Sequence, residues 1–306
     1  MAPTDSKLDT QKRDRLTRTA SYASLTVALT LVFAKLWAWQ ATDAISILSS
    51  LADSFLDVLA SAITFVAIGY ALTPADREHR FGHGKTEGLA ALAQAVIIAI
   101  SALYVCYEAV GRLLAPKPVL EPTTGLTVII GSTLLTLALL SFQRLVVRRT
   151  GSVAIEADAL HYRTDVIVNL SVAIAIPIAS WTDWTIIDPL VGIGVAAYLM
   201  WSAYGIATKS MGILLDREIP EAERRRIREI ALENPAVKGF HDLRTRSGGS
   251  RYIIQFHLEL DPQTSLVDTH IILDAVENTI RKEFKGCELI VHADPVGFPE
   301  DRDRFE

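Results

Sequence analysis

The sequence predicts an α-helical membrane domain of six spans, followed by a small α+β domain with the order α-β-β-α-β. Three observations predict it. Half of the 306 residues are apolar and the mean hydropathy is positive, which is unusual for a water-soluble chain. These apolar residues crowd into positions 19–212. After Asp216 the charges return, and the apolar residues fall into short alternating or helical patterns.

Six stretches, 19–41, 44–71, 87–114, 122–147, 154–181 and 184–208, are apolar enough and long enough to cross a hydrocarbon core needing about 20 helical residues. The first is too long for a cleaved signal peptide, and no small-residue cleavage site follows a short core. Lys7, Lys12, Arg13, Arg15 and Arg18 precede it. Arg77, Arg80 and Lys85 fill the loop after the second span, Arg144, Arg148 and Arg149 close the fourth, and Lys209 and Arg217 follow the sixth. The opposite loops are poor in cations, so both termini are expected in the cytoplasm. Lys35, inside the first span beside Trp37 and Trp39, is expected to snorkel. Small residues such as Ala60-Ser61-Ala62 and Gly192 to Ala196 allow close helix packing, and Pro177 and Pro189 can kink or open their helices.

Beyond the spans, 220–234 is a charged amphipathic helix with acids in its first turn. Positions 237–246 and 252–260 alternate as strands around Ser247-Gly248-Gly249-Ser250. A second helix, 266–284, and a short strand, 287–293, complete a two-layer arrangement of helices on one sheet face. The expected organisation is a cytoplasmic tail at 1–18, a transmembrane domain at 19–212, a soluble domain at 213–296 and a loose tail at 297–306.

A net charge of −5 gives no basic footprint for nucleic acid. Cys106 and Cys287 lie far apart, which suggests neither a disulfide framework nor a thiolate cluster. Three methionines weigh against a copper(I) path.

All seven histidines fall where a divalent metal could want a ligand. Asp53 and Asp57 share one face of the second span, and His161 and Asp165 one face of the fifth, because i and i+4 stack on a helix. No cation lies within the second span to neutralise its pair, and unpaired acids at membrane depth mark ion pathways. Brought together, the four offer a tetrahedral nitrogen/oxygen set for a zinc-like ion. Asp158, three residues before His161, either opens an entry funnel or sits at the membrane interface. Asn169 is either an outer-shell partner or an interhelical hydrogen bond. Asp76, His79 and His83 give a second candidate set in the loop after the second span. His241, His257, His270, His292 and Asp294 sit at strand ends and a helix start that can meet at one edge, and five ligands are enough for two metals with a bridging group. Lys85 and Asp216 are either an ion pair or two solvated charges at helix ends.

The motifs Ala52-Asp53-Ser54-Phe55-Leu56-Asp57, His79-Arg80-Phe81-Gly82-His83-Gly84-Lys85, Asp158-Ala159-Leu160-His161-Tyr162-Arg163-Thr164-Asp165, Leu214-Leu215-Asp216-Arg217, His241-Asp242-Leu243-Arg244-Thr245-Arg246 and Val291-His292-Ala293-Asp294-Pro295 occur in order along the chain. They closely resemble the cation diffusion facilitator family, in particular its bacterial zinc and ferrous-iron efflux branch. The resemblance implies six transmembrane helices, a metallochaperone-like cytoplasmic domain, a homodimer in the bacterial inner membrane, and export of a divalent metal against proton entry. It implies that Asp53, Asp57, His161 and Asp165 form the transport site, and that Asp76, His79 and His83 form a loop site. His241, His257, His270, His292 and Asp294 match a binuclear cytoplasmic site, and Lys85 and Asp216 a charge interlock at the dimer's neck.

Metal ligands shed protons before binding, so one ion and several protons compete for the same carboxylates. The mixed donor set suits Zn2+, and also Fe2+, Cd2+ and Co2+. An intramembrane metallohydrolase would need a His-Glu-x-x-His motif, which is lacking. A membrane metal sensor that moves nothing is the remaining alternative.

Overall fold

The computed structural model describes residues 4–42, 45–114, 126–182, 187–249 and 251–298; within them, side-chain surroundings exclude 4–10, 41–42, 45–50, 52–53, 126–130, 168–169, 171–182 and 187–188. Six helices come first: α1 (Thr4–Thr42), α2 (Ile45–Ala71), α3 (Thr86–Leu114), α4 (Leu126–Thr150), α5 (Val153–Thr182) and α6 (Ile187–Leu214). A helix α7 (Glu221–Leu232), strands β1 (Gly239–Ser247) and β2 (Tyr252–Leu260), helix α8 (Leu266–Glu283) and strand β3 (Glu288–Pro295) follow. The chain divides into two compact units. One comprises Arg15–Thr73 and Thr86–Met211; the other gathers the segment up to Asp14 and the loop Pro74–Lys85 with the chain from Gly212 onward. That loop, expected as a link between spans, thus groups with the soluble elements.

In the first unit, polarity is turned inside out. Trp37, Tyr107 and Trp201 are more than 70% exposed, whereas Ser24, Gln94, Gln143 and Asp158 are fully buried. Large apolar side chains facing outward and polar ones inward suit a lipid surround rather than water. Among the described residues, the helical stretches Gln11–Gln40, Ser54–Ala71, Thr86–Leu114 and Pro189–Leu214 are long and apolar enough to cross a membrane. The described parts of α4 and α5 carry more charge: Arg144, Arg148 and Arg149 on one, Glu156, Asp158, Arg163 and Asp165 on the other. α1 starts well before position 19, because the basic segment ahead of the first span continues the same helix.

Local chemistry explains the turns. Gly151 adopts φ 70°, a left-handed conformation that glycine takes without a Cβ penalty, and its N–H returns to the Val147 carbonyl. Ser152 then caps α5: its hydroxyl accepts from the Ile155 N–H at 3.4 Å and donates to buried Glu87 at 2.8 Å. Gly192 approaches α3 so closely that an added Cβ would lie 3.1 Å from Ala109 Cβ, in keeping with the small-residue packing expected for this helix. Pro189 lies in the first turn of α6, where a missing N–H breaks no helical bond, so no kink is required of it. Pro177 lies outside the residues whose side chains are described. Lys35 does not snorkel: its Nζ donates to buried Ser54 on α2 at 2.6 Å.

In the second unit, β1 pairs antiparallel with β2, and β2 pairs parallel with β3. The parallel pairing needs a crossover, which α8 supplies. Ser265 caps it, accepting from the Asp268 N–H at 3.1 Å. Ile227 and Ile230 of α7, Val276 and Ile280 of α8, and Phe240, Ile254, Phe256 and Leu258 of the strands form one core. Both helices therefore cover one sheet face. Phe240 and Phe256 stack with ring centroids 5.1 Å apart. Phe256 is fully buried, so Phe256→Ala should cost about 3–5 kcal/mol through lost burial and a residual cavity. Thermal unfolding of the purified protein, followed by near-ultraviolet circular dichroism, should show the aromatic signal of this unit melting earlier.

Candidate metal centres

Residues i and i+2 of a strand share a face, and paired strands extend each face into rows. His241, His257 and His292 occupy one such row, being register partners across β1, β2 and β3. Gly239, Glu259 and Asp294 occupy the row two residues along. Alternation places both rows on the sheet face opposite the helices. Asp294 Oδ2 lies 2.8 Å from His257 Nδ1 and 3.4 Å from His241 Nε2, and its Oδ1 lies 3.0 Å from His292 Nε2. One carboxylate thus touches three imidazoles. Glu259 Oε1 comes within 3.4 Å of the other ring nitrogen of His241, and an added Cβ on Gly239 would collide with the Glu259 carboxylate. Glu259 was missed in the sequence, although its place two residues after His257 puts it on the same face. His270, on α8, does not join this group; it is exposed and faces Asp274 at 3.6 Å. After His241, a bulge shifts the register and Asp242 takes φ 50°, so Arg244 rather than Leu243 faces Gln255.

The loop after α2 brings its three candidates together. Asp76 Oδ1 lies 3.4 Å from His79 Nδ1, and Oδ2 lies 3.3 Å from His83 Nε2. The rings of His79 and His83 are 4.6 Å apart, and His83 is buried. The Asp76 carboxylate also accepts the backbone N–H of His79 at 2.6 Å and of Glu78 at 2.9 Å. The His79 N–H, more than any other neighbour, holds the Asp76 carboxyl below its usual range. A carboxylate kept ionised between two imidazoles is a ready cation ligand set.

Lys85 Nζ meets Asp216 Oδ1 at 2.9 Å, and Arg246 Nη1 meets Asp216 Oδ2 at 3.3 Å. The open alternative of two solvated charges is thereby replaced by an ion pair. Burial alone would raise the Asp216 carboxyl, but the hydrogen bond and charge of Lys85, joined by the charge of Arg246, hold it below its usual value. Asp216 follows α6 with φ 56°, a left-handed turn that Asp tolerates better than most residues. Gly84 packs so tightly against the β1–β2 turn that a Cβ would overlap the Gly248 carbonyl. Gly84→Ala should therefore push this loop off the turn and weaken the Lys85–Asp216 pair; trypsin cleavage at Lys85 that becomes several-fold faster would report it.

In the first unit, α2 and α5 bring the remaining candidates together. His161 Nε2 lies 3.1 Å from Asp57 Oδ1. Asp57, His161 and Asp165 each offer a ligand atom within 4.8 Å of the others. His161 is buried, and the two carboxylates are partly so. Asp53 sits one turn before Asp57 on α2, and its side chain lies outside the described residues. Asn169 also lies outside them. Asp158, three residues before His161, lies inside the bundle. It is fully buried, accepting from Ser24 Oγ at 2.6 Å and from Gln143 Nε2 at 2.7 Å. The physical reason is that α1 and α4 both carry polar side chains at its level.

Residues 21–215 match the family described as the cation efflux transmembrane domain, and residues 219–296 match the cytoplasmic domain of cation efflux proteins. The chain is 40% identical to the cation-efflux pump FieF of Salmonella arizonae over 297 residues, covering 97% of this chain and 99% of that protein. It is 41% identical to the FieF pump of Escherichia fergusonii over the same length and the same shares. A solved structure of CzrB in its Zn form is 30% identical, covers 28% of this chain and 98% of its own, and has a TM-score of 0.26.

Proposed function

This chain belongs to the cation efflux family, and from that premise we propose that it exports a divalent metal ion from the cytoplasm in exchange for protons. The observation that carries this reading is the meeting of the α2 and α5 half-sites, with Asp57 3.1 Å from His161 and Asp165 beside them. Asp53 completes a four-ligand set as the second carboxylate of α2. Three carboxylates and an imidazole hold either one doubly charged ion or several protons. In the inward-facing state the site takes metal from the cytoplasm. In the outward-facing state, external protons compete it off. The mixed nitrogen and oxygen donors suit zinc as the principal substrate, with ferrous iron, cadmium and cobalt(II) as further substrates.

The remaining parts take supporting roles in the same proposal. The chain spans the bacterial inner membrane six times with both termini in the cytoplasm, because the loops rich in cations fall on one side and only Arg112 and Lys117 flank an opposite loop. Positions 19–212 form the transport domain and 213–296 a cytoplasmic metal-binding and dimerisation domain, flanked by tails at 1–18 and 297–306. The histidine row with Asp294 fits resident zinc ions: its nitrogen and oxygen donors converge on one face. Those ions would brace a homodimer. Asp76, His79 and His83 hold a further ion at the loop, and Lys85 with Asp216 interlocks the neck of the dimer.

Proteoliposomes loaded with a metal-sensitive dye and a pH-sensitive dye test the proposal across a metal series. Zinc entering together with opposed proton movement is the expected result. Metal binding to the protein without any flux would establish the sensor reading instead.

A further inference from the structure

Asp158 is the centre of a polar layer that the transport site does not use. Besides Ser24 and Gln143, it lies 3.5 Å from Gln94 Nε2. Ser24 Oγ is 3.0 Å from Ser61 Oγ, which is 2.8 Å from the Tyr162 hydroxyl. Gln94 also donates to the Ala60 carbonyl of α2 at 2.8 Å. The six side chains come from α1 to α5, and each is at most 1% exposed. The partners hydrogen-bonded to Asp158 are all neutral. A carboxylate surrounded by neutral dipoles at membrane depth is an expensive arrangement, and its network is effective only while every member stays in place.

The position of this layer gives it a role. α5 enters the membrane at its N-terminal end under the orientation proposed above, so Asp158 lies on the cytoplasmic side of His161. α2 runs the opposite way, so Ser61 lies on the cytoplasmic side of Asp57. Ser24, Gln94 and Gln143 meet at that same level. Next to the metal ligands on that side, therefore, the bundle is closed first by this polar layer, and beyond it by an apolar cluster that includes Ile68, Ala90, Val146 and Ile155.

We propose that Asp158 and its partners form an inner gate, which closes the transport site from the cytoplasm in this conformation and opens when water replaces their mutual hydrogen bonds. The proposal rests on the transport-site reading above. Asp158 acts in it as a positioning residue, holding α5 to α1, α3 and α4, not as a metal ligand.

Ala60, whose carbonyl is held by Gln94, is the reporter position. In a background with Cys106→Ser and Cys287→Ser, Ala60→Cys is placed in the full-length protein in inside-out vesicles. A membrane-impermeant thiol reagent is then added on the cytoplasmic face. With Asp158 present, labelling is expected to be slow. Asp158→Asn, which weakens two charge-assisted hydrogen bonds, should speed it by at least roughly tenfold. Gln143→Leu, which removes one donor and keeps the carboxylate, should give a smaller increase, and it serves if Asp158→Asn does not fold. Zinc affinity of the Asp158→Asn protein at the transport site, measured by calorimetry, should stay within about threefold of the parent. Equal labelling with and without the gate residues would overturn the proposal, as would loss of zinc binding in Asp158→Asn. Unchanged zinc flux in Asp57→Ala would sink the transport-site reading, while leaving the labelling result on Asp158 to be judged separately.

Discussion

Asp57→Ala is expected to abolish metal flux in proteoliposomes while the soluble-domain sites stay filled. Asp57 supplies an oxygen 3.1 Å from His161 and comes from the opposite helix of the pair. Removing it breaks a contact that joins ligand atoms of the two helices at hydrogen-bonding distance. Even partners one shell removed from a metal cost roughly 10–100-fold in affinity or activity when lost, so a direct ligand should cost more. Flux measured with zinc should fall by more than about 100-fold. Metal retained by the purified protein, measured by elemental analysis, should fall only by the transport-site share. Asp57→Glu keeps the charge but moves it by one methylene, and should recover part of the flux. An Asp57→Ala protein that transports at the parental rate would remove the basis for the mechanism.

Asp294→Ala carries the second large effect, in the other unit. The Asp294 carboxylate lies within 3.4 Å of His241, His257 and His292 at once. Without it the three imidazoles keep their row but lose the anion that joins them. Zinc held by the soluble unit should weaken by roughly 100-fold or more, and the protein should purify with correspondingly less metal. If those ions brace a homodimer, Asp294→Ala should also dissociate at a higher concentration than the parent, which light scattering in detergent would measure. Full zinc occupancy in Asp294→Ala would show that the histidine row binds without its carboxylate. His270→Ala offers a contrast: it stands apart at Asp274, so within one chain its loss should leave the Asp294-centred site filled.

Much of this was readable from spacing. The pairs Asp53/Asp57 and His161/Asp165 needed only the helical repeat to be placed on common faces, and the loop triad lies within a few residues. Alternation revealed the strands, and the shift in composition near Asp216 separated the soluble elements. The rest depended on how distant segments pair. The row His241, His257 and His292 exists only because of two strand registers, one of them parallel, and no local pattern encodes a register across an intervening helix. Gly239 and Glu259 are legible as a complementary pair only once that register is known. The partners of Asp158 are not legible in the sequence, because Ser24, Gln94 and Gln143 come from α1, α3 and α4, far away in the chain. Lys35 was misjudged for the same reason: nothing near it in the chain indicates Ser54 as its acceptor.

The parallel seam between β2 and β3 has a consequence for how the molecule matures. His292 and Asp294 belong to the last strand laid down, so a growing chain can present His241 and His257 but not yet the carboxylate that unites them. Slippage of that strand by one residue would turn both ligands toward the helices. If this unit holds zinc as proposed, its capture is a readout of finished and correct strand alignment, and the ion stabilises only chains that have completed it.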